Sequence, residues 1–344
     1  LYEQVLADSI RMLGEDHPDT LGSRNNLACA YEAAGRTDEA ITLYEQVLAD
    51  SIRMLGEDHP QTLTLRNNLA GTYESAGRLT EAITLYEQVL ADRIRILGED
   101  HPQTLASYNN LAYSYVTAGR TDEAITLYEQ VLADSIRILG EDHPQTLTSG
   151  NNLANAYETA GRLTEAITLY KLVLADRIRL LGEDHPQTIA SYNNLANAYE
   201  TAGRTDEDIA LFEQILSIRM RVFGEDHPDT LNSRNNLAYA YYAAGRLEEA
   251  ITLYEQVLTD RIRILGEDHP DTLTSRNNLA YAYFSRGRSD AAIHNFEQAL
   301  TDCINILGDE HSLTETVRKN LETAKRQLER QEKESPAEER EQED

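Results

Sequence analysis

The chain of 344 residues carries a formal net charge of −28, and 26% of its residues are charged. Phosphate backbones and anionic lipids repel such an acidic surface, which argues against nucleic acid and membranes as partners. No apolar run approaches the roughly 20 residues that span a bilayer, and no signal peptide is recognised, so a cytoplasmic protein is expected. The two cysteines, Cys29 and Cys303, are too far apart in sequence to pair within an elongated stack, which suits a reducing compartment.

The first predicted element, residues 1–13, resembles the second helix of a pair that recurs later, so its own first helix is expected to precede it in a longer protein. After it the motif GEDHP recurs every 42 residues without insertions and ends in a decayed copy, GDEHS, at residues 308–312. A period of this length indicates a solenoid, in which each repeat buries its apolar side against its neighbours. The motif begins at Gly14, Gly56, Gly98, Gly140, Gly182, Gly224 and Gly266.

The first half of each repeat, HPDTLGSRNNLACAYEAAGR in the first copy, has the residue spacing of an amphipathic helix. Pro18 fits the first turn, where a missing N–H costs nothing, and either Asp16 or His17 is expected to cap the helix. Gly35 is expected to end it in the left-handed conformation. The predicted inward stripe comprises Leu21, Leu27, Ala28, Tyr31 and Ala34.

The second half, TDEAITLYEQVLADSIRMLG, predicts another helix, capped by Thr37 and ended by Gly56. Each repeat is therefore predicted as two antiparallel helices of roughly 16 and 19 residues. The chain as a whole is predicted to be an all-α solenoid over residues 1–333 with seven such units. A polar capping helix at 313–333 closes it, and an acidic tail at 334–344 is expected to be disordered. The predicted inward residues of the second helix are Ala40, Ile41, Tyr44, Val47, Leu48, Ile52 and Leu55.

The repeated residues NNLAxAYxxAGRxxEAIxLYEQVL resemble the tetratricopeptide repeat, in particular through Tyr31, Gly35, Ala40 and Tyr44. The standard unit of that family has about 34 residues, and the longer unit with its LGEDHP connector is similar to repeats of the kinesin light chain type, which also occur in bacterial multidomain proteins. The resemblance covers residues 1–330. It implies a right-handed superhelical α-solenoid that binds proteins or peptides along a concave face lined by the first helices.

An asparagine pair occupies the same place in the first helix of every repeat, away from the core. With Leu27 and Ala28 inward, the second asparagine lies on the opposite face at about 100° per residue, and the first lies at the edge of that face. The amides either form a structural ladder between repeats or grip the backbone of an extended peptide, and both roles stay open for the second asparagine. The predicted groove asparagines are Asn26, Asn68, Asn110, Asn152, Asn194, Asn236 and Asn278.

Two positions that differ between repeats, first occupied by Cys29 and Glu32, become aromatic in later copies. Variation at these positions is more informative about a partner than identity, because stacking of the repeats does not require it. Exposed aromatic side chains at helical spacing are preferred binding anchors, although the rings could instead pack against the inner flank of the superhelix. The aromatic residues at these positions are Tyr113, Tyr239, Tyr242, Tyr281 and Phe284.

The remaining motifs do not point to catalysis. The histidines of successive GEDHP copies are too far apart to share a metal ion at about 2 Å, so they are expected to be loop or cap residues. The acidic residues of the motif lack the ligand spacing of a calcium loop. The sequence contains no phosphate-binding glycine loop and no HExxH. No enzymatic activity, cofactor or metal is therefore expected.

The sequence thus predicts a non-enzymatic scaffold that binds a peptide or protein partner of basic or neutral character in its groove. One alternative is the sensor arm of a larger bacterial STAND-type ATPase, which the family resemblance implies. The other is a self-assembling structural solenoid. In that case Leu6, Ile10 and Leu13 of the uncovered first helix would dock end to end on another copy.

Overall fold

The computed structural model describes residues 1–334, with side chains through residue 330. Within this part of the chain there are sixteen α-helices and no strand. The prediction of an all-α solenoid built from helix pairs is confirmed. Most of the predicted acidic tail, residues 335–344, lies outside the described residues.

The helices between the two ends alternate between 16 and 19 residues, the two lengths predicted from the repeat pattern. At the ends, α1 spans Tyr2–Leu13 and α16 spans Ser312–Glu334. The shorter helices are α2 (Pro18–Ala33), α4 (Pro60–Ser75), α6 (Pro102–Thr117), α8 (Pro144–Thr159), α10 (Pro186–Thr201), α12 (Pro228–Ala243) and α14 (Pro270–Ser285). The longer helices are α3 (Thr37–Leu55), α5 (Leu79–Leu97), α7 (Thr121–Leu139), α9 (Leu163–Leu181), α11 (Thr205–Phe223), α13 (Leu247–Leu265) and α15 (Ser289–Leu307).

The helices form two compact units, divided within α9 after Asp176. In the first unit each helix from α1 to α7 packs on the helix that follows it. Its buried core contains the tyrosines Tyr44, Tyr86 and Tyr128 from successive long helices. In the second unit α10 to α16 pack in the same sequential manner, with Phe296 fully buried in a cluster formed by α14, α15 and α16. Both cores are thus built by contacts between helices that are adjacent in sequence.

The GEDHP motif builds the start of each shorter helix. The Nδ1 atom of His17 accepts a hydrogen bond from the backbone N–H of Asp19 at 3.2 Å. The buried hydroxyl of Thr20 donates to the carbonyl oxygen of Gly14 at 2.8 Å and closes the loop that leads into the helix. Every copy of the motif in the described residues has the same histidine cap. Of the two caps that the sequence left open, the histidine rather than Asp16 is therefore the one used.

The AGR motif forms the turn between the two helices of a repeat. Gly35 ends the shorter helix with a φ of 73°, as predicted. The guanidinium of Arg36 lies 4.1 Å from the ring centroid of Tyr31, and its Nε donates to Glu39 at 2.7 Å. The prediction that Thr37 caps the longer helix is wrong. Thr37 is already the first helical residue, because the stacked and ion-paired Arg36 occupies the cap position.

The inward stripes are only partly buried as the sequence predicts. Leu27 is 7% exposed and Tyr44 is fully buried. Of the other predicted inward residues, four are half-buried, namely Tyr31, Leu48, Ile52 and Leu55. Ala34 is exposed, contrary to the prediction, because α2 ends at Ala33 and Ala34 already belongs to the turn.

Helix α1 has a different exposed side from the one predicted. Leu6 and Ile10 are half-buried because α1 packs on α2 through this side. Leu13 is exposed as expected, and so are Tyr2, Val5 and Met12, the last of which is 75% exposed. The apolar surface of α1 that a second molecule could cover is therefore formed mainly by these four side chains.

Candidate binding face

At four junctions between neighbouring repeats the asparagines bond to one another. Between α6 and α8 this bond is missing, because Oδ1 of Asn109 has no hydrogen-bond partner among the described residues and its amide donates to Ser149 at 3.3 Å instead. The side-chain amide of Asn68 donates to Oδ1 of Asn25, the first asparagine of the preceding repeat, at 3.0 Å. Burial raises the pKa of the Tyr44 hydroxyl, and so does its hydrogen bond of 2.9 Å with Cys29. The equivalent amide bond joins Asn110 to Asn67 at 3.0 Å, Asn278 to Asn235 at 3.3 Å and Asn320 to Asn277 at 3.1 Å. These are the contacts that the ladder interpretation expects.

The ladder also reaches the capping helix α16, which the sequence interpretation missed. Asn320 follows Asn278 by the repeat length and stands in the segment RKNLETA, where the first asparagine of the pair is replaced by Lys319. The spacing was the available signal, although the surrounding residues no longer match the repeat. The second asparagine is therefore the member of the pair that this last helix keeps for stacking.

Helix geometry puts the second asparagines on the side of the shorter helices opposite Leu27 and Ala28 and their equivalents. An amide has two N–H donors and a carbonyl oxygen with two lone pairs, so one ladder bond does not use its full capacity. Contact with a partner stays a prediction for this set. Asn26 and Asn236 are exposed, whereas Asn68, Asn110, Asn152, Asn194 and Asn278 are half-buried.

Four of the five predicted aromatic residues meet in one continuous row in the second unit. The row starts on α12 with Tyr239 and Tyr242, whose ring centroids are 6.4 Å apart. Tyr242 lies 5.7 Å from Tyr281 on α14, at an interplanar angle of 59°. Tyr281 lies 6.3 Å from Phe284. The first pair is stacked and the other two are tilted, and aromatic pairs in both arrangements attract one another at such distances. The row is thus an ordered surface that spans two repeats.

Two rings of the row are half-buried and support it, and the other two are exposed and are called the presented rings. Tyr242 and Phe284 are half-buried and pack against the apolar cores beneath them. Tyr242 also shares a hydrogen bond of 2.9 Å with the hydroxyl of Ser285. In contrast, Tyr239 is 47% exposed and Tyr281 is 42% exposed. The packing interpretation therefore describes the first two side chains, and the exposed anchor interpretation describes the other two.

Tyr113 is separate from this row. It lies on α6 in the first unit and is 59% exposed. It occupies the same repeat position as Tyr239, but its neighbour three residues on is Val116 rather than an aromatic residue. The structure thus brings together the predicted aromatic residues of α12 and α14 and leaves Tyr113 as a single exposed ring.

The carboxyl groups of Glu200 and Asp208 lie near the start of the aromatic row, and the sequence interpretation missed Asp208. A hydrogen bond to Glu200 on α10 raises the pKa of the Tyr239 hydroxyl. Asp208 on α11 is only 2% exposed, and its Oδ1 has no hydrogen-bond partner. Burial, assisted by the charge of Glu200, raises the pKa of Asp208 from 3.8 to about 6. The signal was in the sequence, since TDEDIA has aspartate where every other repeat has alanine, as in TDEAIT, LTEAIT, LEEAIT and SDAAIH.

The histidines and acidic residues of the described part of the chain do not converge on a metal site. Within the described residues, no group of three or more His, Cys, Asp or Glu side chains could hold a metal ion. In the same part of the chain, none of the helices combines the length and apolar character that crossing a membrane requires.

A solenoid of helix pairs with a polar ladder and an exposed aromatic row defines a repeat protein of the scaffold class. The family model of the tetratricopeptide repeat matches the chain over most of its length, and the chain belongs to this family. The matched segments are residues 20–61, 49–94, 61–135, 118–175, 150–219, 209–261 and 240–303. Among curated proteins, no significant match is found.

Solved structures show where the repeats are similar to known ones. A protein of Podospora anserina, assigned to the kinesin light chains and built of nearly identical repeats, is 38% identical with a TM-score of 0.56, over 60% of this chain and 97% of that one. BtubC (BKLC) of P. vanneervenii is 25% identical with a TM-score of 0.57, over 68% of this chain and 94% of that one. The repeats are therefore of the kinesin light chain type. A STAND protein of Pyrococcus horikoshii with a tetratricopeptide repeat sensor is 16% identical with a TM-score of 0.60, over 92% of this chain and 46% of that one.

Proposed function

We propose that this chain is a protein-interaction scaffold that holds a peptide or protein segment against the side of its shorter helices. The observation that carries the proposal is the aromatic row, in which Tyr239 and Tyr281 remain more than 40% exposed although they contact other rings. Large aromatic side chains at the centre of a surface patch are the residues that contribute most to protein binding. Asn236 and Asn278 precede Tyr239 and Tyr281 by three residues on α12 and α14, so their amide groups would be available to the backbone of the partner.

The negative charge of the chain limits the kind of partner segment that it can bind. The chain carries a net charge of −28, and Glu200 lies beside Tyr239 at one end of the row. An acidic surface accelerates encounter with basic segments and disfavours acidic ones. The partner segment is therefore expected to combine an aromatic or aliphatic anchor with basic or neutral flanking residues.

The test is a selection of peptides from a random displayed library against the full chain, followed by binding measurements on variants. The double variant Tyr239→Ala, Tyr281→Ala removes both exposed rings and is expected to weaken the selected peptides at least tenfold, as losing about 1.4 kcal/mol requires. Tyr113→Ala is the matched control, because it removes an exposed tyrosine at the same repeat position in the other unit. Equal binding to all three proteins would refute the proposal.

A second candidate function is the sensor arm of a larger STAND-type ATPase. The observation that favours it is the similarity to the Pyrococcus horikoshii protein, of which this chain spans about half. At 16% identity the similarity shows the shared fold alone. Sequencing of the flanking reading frame is the test, and a frame without a nucleotide-binding motif would eliminate this candidate.

A further inference from the structure

The repeat formed by α8 and α9 lacks a buried side chain that most other repeats contain. At the position of Gly150 the other repeats carry arginine or tyrosine. Where it is arginine, the side chain lies between the two helices of the repeat and pairs with an aspartate on the longer helix. Arg66, for example, is 7% exposed and its Nη1 lies 2.8 Å from Oδ2 of Asp92. Arg24 pairs with Asp50 at 2.8 Å and Arg234 pairs with Asp260 at 2.7 Å.

A cavity of about 260 Å³ is lined in part by Gly150, and Val173 packs closely against this glycine where a side chain would begin. Its walls come from α7, α8 and α9 and are largely aliphatic, with Leu132, Leu169 and Val173 among them. An aliphatic cavity of about 150 Å³ is already large enough to bind benzene. The cavity beside Gly150 can therefore accommodate the stem of a large side chain.

A second residue that differs from the other repeats makes the mouth of this cavity apolar. Leu172 lines the cavity and is 59% exposed. The other repeats carry glutamine at this position, for example Gln130 and Gln256. A neighbouring hollow of about 360 Å³ shares Leu132, Leu169 and Leu172 with the first. The apolar surface thus continues past the cavity, as it would for a protein segment rather than for a free small cation.

The rim of the cavity carries two carboxylates, Glu141 and Asp176. Asp176 occupies the position of Asp92, the aspartate that binds the buried arginine in the α4–α5 repeat. Such an aspartate binds two arginines at once, since Asp92 also pairs with Arg95 of its own helix at 2.9 Å. An incoming guanidinium can therefore bind Asp176 in addition to the contacts that Asp176 already makes.

We propose that the Gly150 cavity is a docking site for an arginine side chain of a partner protein. Its aliphatic stem lies between the leucines, and its guanidinium reaches the carboxylates at the rim, where the chain's own arginine lies in other repeats. A guanidinium matches a carboxylate in a planar, two-point geometry and is weakly hydrated, so it suits this partly apolar place better than an ammonium group. Gly150 lies about 200° around α8 from Asn152, so this site is separate from the proposed asparagine face.

The test uses N-acetylarginine amide as the probe and the neutral isostere N-acetylcitrulline amide as its control. The full chain is labelled on its leucine and valine methyl groups, and the methyl resonances of Leu132, Leu169 and Val173 are followed by NMR during titration. We expect saturable shifts at these methyl groups with the arginine probe and none with the citrulline probe. Equal shifts with both probes would mean that the cavity takes any apolar group, and this would overturn the assignment.

Two variants test the site from opposite directions. Leu172→Gln restores the residue of the other repeats at an exposed position. This variant is expected to lower the affinity for the arginine probe about tenfold. Gly150→Arg supplies the arginine from the chain itself and is expected to abolish binding. Because a Cβ at residue 150 would lie 3.0 Å from Cγ2 of Val173, the folding of this variant is checked by circular dichroism. Tyr239→Ala, in the other unit, is expected to bind the probe normally. Unchanged binding in Leu172→Gln would overturn the proposal without reference to the second variant.

Discussion

Asp208 provides the sharpest test of the physical interpretation of this structure. Its carboxyl is 2% exposed, and its Oδ1 has no hydrogen-bond partner, whereas the equivalent residue in the other repeats is a fully buried alanine such as Ala292. Asp208→Ala combines alanine with Phe212 one turn later, and the chain already contains this combination at Ala292 and Phe296. The variant should therefore fit its surroundings without new strain.

The expected gain in folding stability of Asp208→Ala follows from the pKa of the Asp208 carboxyl group. Burial, together with the charge of Glu200, raises the pKa of Asp208 from 3.8 to about 6. The folded state therefore favours the protonated acid, and folding must work against ionisation at higher pH. This costs roughly 3 kcal/mol above pH 6, and nothing below about pH 3.8, where the acid is protonated in both states. The stability advantage of Asp208→Ala should grow as pH rises from 4 to 6 and then level off.

Hydrogen exchange of the backbone amides in α10–α12 is the suitable assay, because repeat arrays unfold locally as well as globally. Wild type and variant are compared at the same pH, once near pH 4 and once near pH 7, so that intrinsic exchange rates cancel. Asp208→Asn serves as a control that keeps the shape and removes the ionisation. A gain that does not depend on pH, or a loss of protection at pH 7, would refute the interpretation of Asp208 as a buried carboxyl without compensating contacts.

Three further predictions concern the ladder, the cap and α1. Asn277→Ala removes the acceptor of the Asn320 amide and should destabilise α16 by about 1 kcal/mol, measured by amide exchange; unchanged protection of α16 would contradict the ladder. His101→Ala removes the cap of α6 and should lower the free energy of unfolding by about 1 kcal/mol in urea titrations, whereas His101→Asn should restore most of it. If α1 mediates self-association, the light-scattering mass should rise with concentration and Met12→Glu should prevent the rise; a constant monomer mass would exclude it.

The sequence anticipates the local structure of the repeats well because that structure depends on contacts within a few residues. Pro18 and Gly35 mark the ends of a helix through their own backbone preferences, and the structure places them there. Thr37 is misassigned for a different reason. Its capping preference competes with Arg36, which is held by an aromatic ring and a carboxylate, and this arrangement cannot be inferred from spacing alone.

The candidate sites depend on contacts between repeats and were only partly predictable. Helix geometry places the second asparagines and the aromatic residues on one side, but the amide bond from Asn68 to Asn25 requires the actual distance between neighbouring helices. The same holds for the distinction between supporting and presented rings, such as Tyr242 and Tyr281. The cavity beside Gly150 depends on a missing side chain and on the positions of three helices around it.

The amino-acid sequence by itself determined the all-α repeat architecture, the helix lengths and the tetratricopeptide family, because a period of 42 residues repeats the same local signals along the chain. Only the tertiary structure decided which repeated groups bond to each other, which rings remain exposed and where Asp208 and Gly150 depart from the pattern. These properties depend on burial and on distances between side chains of different helices, and a one-dimensional pattern does not contain them.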